Sequence, residues 1–91
     1  MSRRYLKRVM NYLPHQHTLT IALPTALKKG ELVCHHLTQK YQDFKVSLAR
    51  VPNSLVRLTT EHMASGRWLV QVFWTDGDRE YFLEEELMIR G

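Results

Sequence analysis

The spacing of apolar positions changes period several times along the chain. In "MSRRYLKRVMNYLP", residues 1–14, Leu6, Val9, Met10 and Leu13 recur at steps of three and four, Ser2 can cap the start, and Pro14 stops the run. That pattern predicts a short amphipathic helix. "HTLTIALP" then alternates with a period of two and puts Leu19, Ile21 and Leu23 on one face of a strand. Over "TALKKGELVCHHLTQKYQD", Ala26, Gly30, Val33, Leu37 and Tyr41 share one helical face with Cys34 beside them, which predicts a second helix. Gly30 weakens its middle by about 1 kcal/mol, so the firm part begins at Gly30-Glu31, where an acid suits the first turn.

Alternation returns in "FKVSLARV", with Phe44, Val46, Leu48 and Arg50 on one face, and "SLVRLTT" follows. A loop over Pro52-Asn53-Ser54 sets Leu48 against Leu58 and Arg50 against Val56, so these two segments are expected to pair as a hairpin. The longest strand runs from Arg67 to Thr75, and Asp76-Gly77 reads as a type I′ turn. In that register Val72 faces Tyr81, Val70 faces Leu83, Phe73 meets Glu80 and Gln71 meets Phe82. Val70, Val72, Trp74, Tyr81 and Leu83 then form a core face. The opposite face sets Leu69, Phe73 and Phe82 among charges, which points to packing against the chain's own helices or against a partner.

Together these segments predict a single α+β domain over residues 1–91, with a mixed or antiparallel sheet of about four to five strands and two helices. Composition agrees with a folded domain: 44% of residues are hydrophobic and 24% charged. No apolar run reaches the roughly 18 residues of a membrane span. The single cysteine, Cys34, excludes an intramolecular disulfide, and a reducing, cytoplasmic location is the simplest expectation.

The net charge of +4 is concentrated at Arg3, Arg4, Lys7 and Arg8, and no acid precedes Glu31. The rest of the chain balances nine basic residues against nine acidic ones. With Tyr5 and Tyr12 beside them, these four cations suit nucleic acid or another polyanion, and nucleic-acid binding is the first functional expectation. The same pattern fits an anionic membrane surface or a targeting segment. The plain alternative is a helix that covers the sheet while its charges are solvated. From a different class, the hairpin face of Leu69, Phe73 and Phe82 would serve a homodimer or a protein partner.

Candidate chemistry is sparse. Cys34, His35 and His36 are consecutive, with His15, His17 and His62 elsewhere. On a helix Cys34 falls on the buried side while the histidines turn to solvent, so the three do not converge on a metal. No cofactor fingerprint or catalytic motif is present, and Glu84, Glu85 and Glu86 read as a solvated strand edge. No metal, no cofactor and no enzymatic activity are expected. The hairpin "RWLVQVFWTDGDREYFLEEEL" resembles the strand-turn-strand signature of SH3-like and chromo-type barrels. The two expected helices do not suit a five-stranded barrel, and no family is assigned on that resemblance.

Overall fold

In the computed structural model, residues 5–6 and 10–90 are described. They form eight strands: β1 Tyr5–Leu6, β2 Met10–Leu13, β3 Thr18–Ala22, β4 Lys29–His36, β5 Phe44–Ala49, β6 Leu55–Thr59, β7 Gly66–Thr75 and β8 Glu80–Ile89. Short 3-10 turns cover Pro14–Gln16, Lys40–Gln42 and Pro52–Ser54, and no α-helix occurs among the described residues. The expected α+β class is therefore wrong: the domain is built from two sheets. The larger has the order β1-β8-β7-β4-β5 and the smaller β2-β3-β6. All pairs are antiparallel except the two-residue β1, which runs parallel to β8.

One core lies between the sheets. Leu19, Ile21 and Val56 come from the smaller sheet; Leu32, Cys34, Trp68, Val70, Val72, Trp74, Tyr81 and Leu83 come from the larger. Burying such side chains on facing sheets drives a sandwich together at about 25 cal/mol per Å² of apolar area. Met10 and Tyr12 pack against this core from β2. Their two-residue spacing is the strand signal inside the segment expected to be the first helix.

The second expected helix is β4. Leu32, Cys34 and His36 are buried and alternate with Glu31, Val33 and His35. His36 is only 2% exposed, so the third core position of this strand is occupied by a polar residue and the period of two is disguised. Its ring is held by specific bonds: Nε2 lies 3.0 Å from the Ser65 carbonyl, while Nδ1 lies 3.0 Å from the Gln39 N–H. The second contact needs Nδ1 as acceptor, so Nε2 carries the proton and donates to Ser65. The expectation that His36 is solvated is corrected by the same alternation, which leaves His35 half-exposed on the other face. Gly30 fits β4 because β7 approaches so closely that a Cβ there would lie 2.5 Å from the Phe73 carbonyl oxygen and 2.7 Å from Trp74 Cβ.

The two pairing expectations also change. β5 pairs with β4 and β6 pairs with β3, so no β5–β6 hairpin forms. Between them Arg50, Asn53 and Ser54 take φ of 53°, 55° and 55°, and this left-handed corner carries the chain from one sheet to the other. The β7–β8 connection has four residues, Asp76 to Arg79, instead of a two-residue turn. Asp76 organises it: Oδ1 accepts the N–H groups of Asp78 at 2.8 Å and Arg79 at 2.9 Å, and Oδ2 accepts the Tyr81 hydroxyl at 3.0 Å. The pairing moves by two residues, so Trp74 stands opposite Tyr81 and Phe73 opposite Phe82. A two-residue shift leaves every side chain on its expected face.

Candidate functional site

Alternation along the central strands of the larger sheet sends a second set of side chains away from the sandwich core. Across β4, β7 and β8 they form rows: Glu31–Phe73–Phe82, Val33–Gln71–Glu84 and His35–Leu69–Glu86. Among the described residues no strand covers this outer face. Leu69, Phe73 and Phe82, the interface residues expected from sequence, share it and are half-buried by one another and by their neighbours. The Phe73 and Phe82 rings meet at 4.9 Å between centroids and 41° between planes. Both rings stand on the outer face and are half-buried there.

A chain of polar contacts crosses the same face. His35 Nδ1 lies 3.0 Å from Asp43 Oδ2, His35 Nε2 lies 3.2 Å from Gln71 Oε1, and Gln71 Nε2 donates to Glu84 Oε1 at 2.7 Å. Asp43 also accepts the His36 backbone N–H at 2.8 Å. The His35 hydrogen bond, followed by that backbone N–H, holds the Asp43 carboxyl below the usual carboxylate range. Sequence reasoning missed this group because it placed His35 and Gln71 on different kinds of element. The alternation of Glu31, Val33 and His35 with Leu32, Cys34 and His36 was the signal that could have found it.

Beside the Phe73 row lies a cavity of about 390 Å³, lined in part by Glu31, Ser47, Phe73 and Glu80. Lys45 reaches Glu31 at 3.7 Å across the β4–β5 pair. Leu37 and Met88 are exposed at the other end of the sheet, and Tyr41 is 80% exposed on the connection after β4. A smaller cavity of about 240 Å³ lies where Tyr12, Thr60 and Ile89 meet, and the buried Thr60 hydroxyl has no partner among the described residues.

The remaining sequence-based candidates separate. Arg3, Arg4, Lys7 and Arg8 lie outside the described residues. The helix expected to carry them is overturned, because Tyr5–Leu6 and Met10–Leu13 are strands, so nucleic-acid binding through a basic N-terminal helix is not shown. Cys34 is a free, fully buried thiol whose pKa burial pushes up to about 12. Among the described residues no group of three metal-ligating side chains converges, and no helix is long and apolar enough to cross a membrane.

With this geometry established, comparison with known proteins adds one finding. The FixH family model matches residues 6–88. The chain belongs to the FixH family. No curated protein and no solved structure matches it. The matched span takes in every strand apart from the first residue of β1 and the last residue of β8, so the outer face of this FixH domain lies within the family's extent. What the match supports is a FixH-family domain, without the basic N-terminal helix expected to bind nucleic acid.

Proposed function

We propose that this FixH-family chain is a non-catalytic docking domain that holds a partner protein against the outer face of its larger sheet. The observation that carries the reading is the row of large apolar side chains on that face: Leu69, Phe73 and Phe82 stand on strands whose other face already fills the core. Apolar and aromatic anchors on a partly polar surface are where binding energy concentrates. Glu80, Glu84 and Glu86 flank Phe82 on the same side of β8, so the matching surface on the partner is apolar and bordered by basic residues. A binding role rather than a catalytic one is supported by the state of the reactive groups. The Cys34 thiol is buried, and His35 and His36 are engaged in hydrogen bonds to neighbouring strands and turns.

A photoreactive phenylalanine analogue in place of Phe73, with one at exposed Arg57 of the smaller sheet as control, tests the proposal in cells. Position 73 is expected to give a cross-link to one dominant protein that position 57 does not give. With that protein purified, Phe73→Ala and Phe82→Ala are each expected to weaken binding by about tenfold. Equal cross-linking at both positions overturns the reading, as does unchanged affinity in both variants. Cross-links only between copies of this chain would give the face to self-association and overturn it as well.

A further inference from the structure

The contacts around His35 impose a protonation requirement. Asp43 Oδ2, at 3.0 Å from Nδ1, belongs to a carboxylate and accepts. Gln71 donates its amide N–H to Glu84 Oε1 at 2.7 Å, which turns its own oxygen, Oε1, toward His35 Nε2 at 3.2 Å. Both ring nitrogens therefore face acceptors. A neutral imidazole has one N–H and satisfies one of them; the imidazolium has two and satisfies both. Rotating the Gln71 amide offers no escape, because it would turn Oε1 against the Glu84 carboxylate.

We propose that His35 is a proton-operated latch at the centre of the outer face, tying Asp43 to Gln71 and Glu84 when protonated and releasing Gln71 when it is not. On losing a proton the ring keeps the N–H directed at Asp43, since a bond to a carboxylate is stronger than one to an amide oxygen. The Nε2 lone pair then opposes Gln71 Oε1, and the Gln71 side chain leaves. Gln71 stands between Leu69 and Phe73 on β7, so its release changes the surface between two of the proposed anchors. Among the described residues, the charged groups around the latch come from β4, β5, β7, β8 and the turn before β5. Lys40 and Asp43 lie on the turn before β5, Lys45 on β5 opposite Val33, and Glu31 on β4 itself. Arg67 stands on β7, with Glu84 opposite Gln71 and Glu86 opposite Leu69 on β8. The consequence for docking rests on the function proposed above; the latch itself does not.

The test uses the intact chain without a partner. Nitrogen-detected NMR of the imidazole ring, together with hydrogen exchange of the Gln71 side-chain amide, is followed from about pH 5 to about pH 8. At the acid end both His35 nitrogens are expected to carry protons. As the ring loses one, protection of the Gln71 amide is expected to fall about tenfold beyond the intrinsic pH dependence of exchange, the scale of one lost hydrogen bond. A ring that changes protonation while Gln71 is unaffected overturns the latch, and so does a ring that stays in one protonation state throughout. Because no partner is present, failure of the docking reading would leave both measurements unchanged, whereas failure of the latch would show in them alone.

Discussion

Phe73 and Trp74 are neighbours with opposite fates. Trp74 is 3% exposed, stacks on Tyr81 at 5.3 Å, and donates its indole N–H to the Thr25 hydroxyl at 2.9 Å. Trp74→Ala is expected to cost about 3–5 kcal/mol in urea unfolding, whereas Phe73→Ala, on the outer face, should cost clearly less. Equal losses would mean that both faces are internal. These fates were legible in the sequence, because a strand's period of two survives an error of two residues in register. His36 was not legible, since nothing in a histidine's chemistry announces full burial. Two acids give a second prediction at this scale. Asp43 and Asp76 are both held below the ordinary carboxylate value by the hydrogen bonds they accept in the fold. The stability they supply is present above the unfolded-chain value of about 3.9 and is lost as pH falls through their lower folded values. The urea midpoint should therefore decline on acidification below about pH 4, and less steeply in Asp76→Asn.

Among the elements, β4 and the β7–β8 connection show what local pattern does and does not determine. β3 and β7 announced themselves through strict alternation, and both appear where it placed them. β4 did not, because Gly30 and His36 occupy strand positions that only tertiary neighbours explain: the close approach of β7 and the bonds to Ser65 and Gln39. β1 is two residues long, too short to show any period. The Leu48–Leu58 match suggested a hairpin, yet apolar residues on two facing sheets match as readily as on two adjacent strands. In the β7–β8 connection Gly77 has φ of 105°, a conformation costly for a β-branched side chain. Gly77→Val should lower stability by about 1 kcal/mol or more, and an unchanged urea midpoint would refute this. Gly30→Ala should do greater damage, about 1–3 kcal/mol from overpacking, because the obstruction is backbone of β7 and cannot swing aside.

At the scale of the molecule, the sandwich makes its single thiol a reporter of global opening. Cys34 lies at 0% exposure between the sheets with its pKa pushed up to about 12, so neither access nor ionisation favours reaction. An exposed-thiol reagent is expected to label native protein only as fast as the fold opens, and urea should accelerate the labelling in step with unfolding. Rapid labelling without urea would contradict this packing. The outer face as a whole was half legible: Leu69, Phe73 and Phe82 were grouped correctly, while the polar chain through His35 required the sheet to be seen. The pairing of β1 with β8 has a further consequence, for the order of assembly. Tyr5 lies beside Phe82, Thr18 beside Thr59 and Lys29 beside Thr75. Only the β2–β3, β4–β5 and β7–β8 partners are close in sequence and free to form within microseconds. The remote pairings must close long loops first, which places folding in the range of milliseconds to seconds. During synthesis, β1 and β3 emerge from the ribosome while β6 and β8 have yet to be made, and in that interval their edges are exposed to wrong neighbours.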